Sequence, residues 1–202
     1  MDTTAICRMG AGLALLVTLS ACKAEPPVSP MQKRSWTCGE EITRVHDVPI
    51  RSNGLGIHSC VQGDENRHRA DDGYSYGRKW QCVEFVRRFY KDHLGHAMPS
   101  PWGNATDYFL DELPHGARNP DRDLIQLRNG GPDRPRPDDL VVFKEAAGGY
   151  GHVGIVVEVG EDAIVLAQQN ALPAMLRVPL KHDDGRWTIG HGATGFLRKN
   201  TQ

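Results

Sequence analysis

An excess of charge of either sign is missing from this chain. Its 24 lysines and arginines stand against 25 aspartates and glutamates, for a net charge of −1, and the pI is near 6.7. That balance leaves no basic footprint for nucleic acid, and no nucleic-acid partner is expected. Long apolar runs are missing too. The stretch over residues 11–19 falls well short of the about 20 residues a helix needs to cross a bilayer. Cysteines are few, five in 202 residues, and none stands in a CxxC or Cys/His ligand spacing. No metal site and no cofactor is therefore expected. No internal repeat appears, which leaves one domain rather than a solenoid or array.

What is present begins at the N-terminus. The apolar stretch follows a short segment containing Arg8 and runs into Leu19-Ser20-Ala21-Cys22. It reads as the core of a bacterial export signal. Leu-Ser-Ala-Cys resembles the lipobox of bacterial lipoproteins, which implies cleavage before Cys22 and a lipid on that cysteine. The small residues before Cys22 favour this over an ordinary signal with an incidental cysteine. Pro26, Pro27 and Pro30 then mark a tether. The expected organisation is a lipoprotein signal peptide at 1–21, a lipidated N-terminus with a Pro-rich tether at 22–37, and one domain at 38–202. Such a chain would be exported and anchored to the membrane through lipid, facing the periplasm.

The cysteines sort accordingly. Cys7 leaves with the leader and Cys22 would carry lipid. Cys38 and Cys60 remain beside Cys82, and an oxidising compartment favours their pairing. Closing such a loop would contribute about 3 kcal/mol. Two unrelated thiols, or a disulfide that ties down Cys82, are the alternatives.

Cys82 itself stands in Trp80-Gln81-Cys82-Val83-Glu84-Phe85, just after the turn-forming Gly73-Tyr74-Ser75-Tyr76-Gly77. At helical spacing Cys82, Phe85, Val86, Phe89 and Tyr90 share one side, while Glu84, Arg87, Arg88 and Lys91 project elsewhere. A cysteine at a helix start meets free N–H groups, which stabilise a thiolate and predict a thiol ionising near neutral pH. Taken alone, a cysteine on an apolar helix face is more often core packing.

A histidine alters that weighing. Two β-branched runs, within residues 137–143 and 151–159, flank a Gly-rich connection at 146–151 and read as neighbouring strands of a hairpin or meander. His152 opens the second and shares a face with Gly154 and Val156, where the missing side chain of Gly154 would let a helix lie close. A third run ends in Gln168-Gln169-Asn170, with Gln168 and Asn170 on one face. A histidine seen alone would more often be a strand-edge residue bonded to a carbonyl.

Together, Trp80-Gln81-Cys82-Val83-Glu84-Phe85, Gly151-His152-Val153-Gly154-Ile155-Val156 and Ala167-Gln168-Gln169-Asn170 resemble the three signature blocks of the cysteine- and histidine-dependent amidohydrolase/peptidase (CHAP) family. The likeness is greatest to the amidase half of bifunctional glutathionylspermidine synthetase/amidases. Val48-Pro49-Ile50-Arg51-Ser52-Asn53 and Ile57-His58-Ser59 extend it. The resemblance implies an α+β, papain-like fold, with a nucleophile helix packed on an antiparallel sheet. It implies Cys82 as nucleophile, His152 as general base and acid, and Gln168 as the group that orients the imidazole. The nearest members have glutamate at the Gln168 position, so this chain supplies a carbonyl but no charge there. Asn170 is a reserve orienter, and Gln81 a possible neighbour of the oxyanion.

The implied chemistry is amide hydrolysis through an acyl-enzyme on Cys82. Its substrate is a peptide or a peptide–polyamine amide. Export favours peptidoglycan peptides, with a glutathionylspermidine-type amidase as the alternative. A catalytically weak, lipid-tethered wall-binding module is the non-enzymatic alternative. Arg87 and Arg88 read as solvated helix residues. Residues 64–72 and 119–139 read as long surface loops, 130–137 being either a groove wall or solvated linkage. Residues 105–113 read as a second short helix with Asn104 as N-cap, and 187–189 and 194–197 as late strands. Nothing in the sequence indicates an oligomeric state.

Overall fold

The computed structural model of the protein describes residues 36–54 and 59–200. The leader, Cys22, the tether, and Ile57 and His58 lie outside the described residues. Two small hairpins come first. β1 (Glu41–Val45) pairs with β2 (Val48–Arg51), and β3 (Arg67–Arg69) with β4 (Ser75–Arg78). The helix α1 (Cys82–Arg88) follows and continues into a π turn over Phe89–His93.

The rest is dominated by antiparallel sheet. Its strands are β5 (Ala117–Asn119), β6 (Leu124–Arg128), β7 (Leu140–Phe143), β8 (His152–Val159), β9 (Ala163–Ala167), β10 (Met175–Asp183), β11 (Arg186–Ile189) and β12 (Gly195–Arg198). Their order across the sheet is β11-β10-β9-β8-β7-β12-β6-β5. The late strand β12 inserts between β7 and β6. Both outer neighbours of β8 are antiparallel, with Phe143 opposite His152 and Ala167 opposite Ile155.

The two-residue alternation of strand side chains explains why β7 and β8 are apolar almost throughout. Leu140, Val142, Val153 and Ile155 share one core with Phe85, Val86 and Phe89 of the helical segment. Val141, Phe143 and Val156 face the other way, into a second core with Ile164, Leu166 and Phe196. The disulfide Cys38–Cys60 brackets the β1–β2 hairpin, with a Cα–Cα distance of 5.9 Å, and Cys82 is the free cysteine among the described residues.

Several local expectations are corrected. Residues 105–113 form a 3-10 helix over Ala105–Tyr108 and no more. The capping end is as expected, with Asp107 accepting the Asn104 N–H at 2.7 Å. The helix stops because Gln126 captures the next turn: its Oε1 accepts the Leu110 N–H at 2.9 Å, and its Nε2 donates to the Leu110 carbonyl at 2.7 Å. The segment 64–72 contains β3, and 119–139 contains β6. In the 130–137 run Pro132, Arg134, Arg136 and Pro137 are exposed, as a solvated linkage would be. Arg134 lies over the Trp187 ring at 5.0 Å and donates to the Gly160 carbonyl, at the end of β8 opposite His152.

Candidate active site

Gln81 caps α1 in an extended conformation, and Cys82 is the first helical residue. The cysteine is buried, 8% exposed, within the core shared by helix and sheet. The backbone N–H groups of Val153, Val83 and Cys82 all support a negative charge on its sulfur. The Val153 N–H belongs to the residue after His152, so the two signature segments meet at the thiol. Burial outweighs these donors and pushes the Cys82 thiol up to about 11. The expectation of a thiol ionising near neutrality is therefore corrected. The helix start acts in the expected direction, but desolvation is the larger effect.

His152 is the first residue of β8, and its Nε2 lies 2.9 Å from Oε1 of Gln168. The orientation of that amide follows from its other end, where Nε2 of Gln168 donates to the Pro173 carbonyl at 2.8 Å. A carbonyl demands a donor, so Oε1 must face the imidazole and Nε2 of His152 must carry the proton. The resulting tautomer leaves Nδ1 as a base. Burial lowers the pKa of His152, with the Gln168 hydrogen bond opposing it. At neutral pH the resting side chains are a thiol and a neutral imidazole.

Gly154 serves this pair differently from expected. A Cβ there would lie 3.0 Å from the Ala167 carbonyl and 3.6 Å from Cβ of Gln168. Glycine admits the end of β9 rather than a helix, and so brings Gln168 beside His152.

Asn170 does not face the imidazole. Its Nδ2 donates to Oε1 of Gln81 at 3.0 Å, and its Oδ1 accepts from Asn53 at 3.0 Å. Holding Gln81 by its oxygen leaves the NH₂ end of that amide to donate elsewhere. The reserve-orienter role is corrected to one that acts on Gln81.

Beneath the nucleophile lies a buried polar cluster that the sequence reading missed. Glu84 is fully buried and receives Nδ1 of His68 at 2.6 Å, Nε of Arg88 at 2.7 Å and Nε2 of Gln169 at 2.6 Å. Burial raises the Glu84 pKa, but the bonds from His68 and Arg88 prevail and hold it below the ordinary range. Gln169 also donates to the Gln81 carbonyl at 3.0 Å and accepts the Arg51 N–H at 2.7 Å. One side chain thus ties β2 to the residue that precedes Cys82. Arg87 is buried as well, donating to the carbonyls of Ser75 at 3.0 Å and Ser100 at 2.5 Å. Neither arginine is solvated, because the hairpins cover this side of the helix. The Glu84/Arg88 spacing of four was the available signal, a charge pair on adjacent turns of a helix that is otherwise apolar.

The CHAP domain family matches residues 72–170, a span that holds Cys82, His152, Gln168 and Asn170. Through that segment the chain belongs to the CHAP family. It is an enzyme of the cysteine- and histidine-dependent amidohydrolase/peptidase class. Among curated proteins it is similar to trypanothione synthetase of Crithidia fasciculata, 32% identical over 126 residues, covering 59% of this chain and 19% of that one. It is similar also to the bifunctional glutathionylspermidine synthetase/amidase of Escherichia coli (strain K12), 31% identical over 116 residues, covering 54% and 18%. The Shigella flexneri protein of the same name matches equally. The chain thus spans less than a fifth of the length of these relatives.

Proposed function

We propose that this CHAP domain hydrolyses amides through a thioester on Cys82, within a papain-like arrangement of helix and sheet. The carrying observation is the His152–Gln168 hydrogen bond beside a helix-start cysteine that shares the Val153 backbone. The resting pair is neutral, so the thiol proton passes to Nδ1 of His152 as sulfur attacks the carbonyl carbon. The carbonyl π electrons move to oxygen, where the Cys82 N–H and the free NH₂ of Gln81 donate to the oxyanion. Collapse expels the amine, which takes its proton from His152. The imidazole, neutral again, takes a proton from water as the water oxygen attacks the thioester carbon. Collapse breaks the C–S bond, releases the carboxylic acid and returns that proton from His152 to the Cys82 sulfur. Gln168 holds the ring in the tautomer this cycle needs, as a neutral amide suffices to do.

Two amide classes are candidate substrates, each favoured by its own observation. Similarity to glutathionylspermidine synthetase/amidase favours a peptide–polyamine amide. It comes first because the name of that relative states an amidase. The export leader and lipobox, together with the Cys38–Cys60 disulfide, favour peptides of peptidoglycan outside the cytoplasm. The test is direct. The full chain and its Cys82→Ala variant are incubated with glutathionylspermidine and, separately, with purified cell wall, and products are read by mass spectrometry. Release of spermidine assigns the first substrate, and release of wall peptides the second. Release from neither, or equal release by Cys82→Ala, overturns the proposal and leaves a wall-binding module.

A further inference from the structure

Three ligand-type side chains far apart in sequence meet away from Cys82. His46 occupies the turn between β1 and β2, His93 ends the π turn after α1, and Asp138 lies just before β7. One ligand atom from each lies within 4.8 Å of the others. The two imidazoles stack, with centroids 4.0 Å apart and an interplanar angle of 11°. The buried ring of Phe89 lies behind both, at 6.2 Å from His46 and 5.1 Å from His93. No sequence spacing could show this group, and the expectation of no metal site rested on spacing alone.

We propose that His46, His93 and Asp138 form a site for a divalent transition-metal ion of the Zn²⁺ class. Four features carry it. First, ligands about 2.0–2.1 Å from a tetrahedral Zn²⁺ stand roughly 3.4 Å from one another, so the observed spread of at most 4.8 Å closes by about 1.4 Å. Both histidines are exposed, and their rings can turn about χ2 to bring a nitrogen of each to one ion. Second, the carboxylate arm has a fixed base. The Asp138 N–H donates to the Val156 carbonyl at 2.8 Å, and its own carbonyl accepts from the Tyr90 hydroxyl at 2.7 Å. Third, His46 and Asp138 hold left-handed backbone conformations, φ 48° and 73°, in which non-glycine residues are uncommon and such positions collect at functional sites. Fourth, Asp47 and Asp92 flank the two histidines in sequence and line one depression with His93, where Arg88 is neutralised by its ion pair with Glu84 and Arg51 offsets one of the two carboxylates. Two imidazoles and one carboxylate suit a borderline ion and not Ca²⁺ or Mg²⁺, which prefer oxygen. Three protein ligands leave one position for water. The ion would join the disulfide-bracketed hairpin, the far end of the helical segment that begins at Cys82, and the entry to β7.

The site is tested with Zn²⁺ itself on the full chain carrying Cys82→Ala, so that the active-site thiol contributes nothing. Equilibrium dialysis followed by elemental analysis should give one Zn²⁺ per chain. His93→Ala and Asp138→Asn should each weaken binding by roughly 10-fold or more, which is the scale of losing even a supporting partner. The double variant His46→Ala/His93→Ala should bind none. His115→Ala, at a separate histidine bonded to Asp133, should bind as the parent does. Zn²⁺ should raise the thermal midpoint of the parent and not of the double variant. Both histidines are exposed, and circular dichroism of the double variant shows whether it is folded. No binding by the parent at millimolar Zn²⁺, or equal binding by parent and a folded double variant, overturns the proposal.

Discussion

Gln168 accepts a hydrogen bond from Nε2 of His152 at 2.9 Å, from the end of the neighbouring strand. The geometry makes Gln168 responsible for the imidazole's tautomer and orientation, and its neutral carbonyl favours the imidazolium only through that hydrogen bond, with no charge of its own. Gln168→Ala should lower kcat/KM by about 10–100-fold, with the fold unchanged by circular dichroism. Gln168→Glu should keep or raise kcat, because a carboxylate in the same place adds attraction for the imidazolium. A silent Gln168→Ala beside a damaging Asn170→Ala would place control of the site at Gln81 rather than at the imidazole.

The pH behaviour follows from burial of both reacting groups. Burial lowers the pKa of His152 from its ordinary 6.5, so the base stays neutral further into acid. The acid limb of kcat/KM should therefore lie below pH 6.5. A depressed folded pKa contributes stability that is present above the unfolded value and is lost as pH falls through the folded one. Cys82 has the opposite sign. Its thiol is raised to about 11 against an unfolded value of about 8.5, so its contribution is complete below that and lost as pH rises toward 11. Iodoacetamide labelling of native protein should accordingly inflect well above 8.5. An inflection below it would mean a preformed thiolate–imidazolium pair and a different first step.

Glu84 has no counterpart among the groups expected from the sequence. Breaking a buried ion pair by removing one partner costs about 3–5 kcal/mol, since the other charge is left unpaired. Arg88→Met should lower the unfolding free energy by that order in denaturant titration. Glu84→Gln/Arg88→Met should cost less than the sum of the single changes, because neither charge then remains unpaired. Additive losses would mean that Glu84 is held by His68 and Gln169 independently of Arg88.

The parts of the site that follow local rules were legible in the sequence. Cys82 begins its helix, His152 opens β8, and Gln168 sits where the apolar run of β9 ends. Each lies where a period of 3.6 or 2 changes character. What was hidden depends on packing between distant segments. The charged residues of α1 looked solvated because nothing in the sequence places two hairpins over them. Strands β3 and β6 looked like loops because their residues are polar or flanked by turn formers, and they pair only once the sheet exists. The Cys82 pKa was misjudged for the same reason, since a helix start is visible in sequence and the depth of burial is not. His46, His93 and Asp138 are the extreme case, as three segments must fold before they meet.

The cysteines give the last prediction, and it separates compartment from chemistry. The structure pairs Cys38 with Cys60 and leaves Cys82 free. The leader expected from the sequence would remove Cys7 and place lipid on Cys22. Alkylation in denaturant without prior reduction should then modify Cys82 alone in protein recovered from membranes, read by intact mass. One acyl chain anchors only marginally, whereas several hold firmly. Cys22→Ser should thus move the protein from the membrane fraction to the soluble one. Amide hydrolysis should be unchanged, because the tether precedes β1 and the residues proposed to react all lie beyond residue 80. A wild-type protein that is soluble would remove the lipid anchor, and three alkylated cysteines would remove the disulfide. Either result takes away the support for a wall substrate and leaves the peptide–polyamine amide. The His152–Gln168 geometry is untouched by both, since it depends on β8 and β9 and not on where the chain resides.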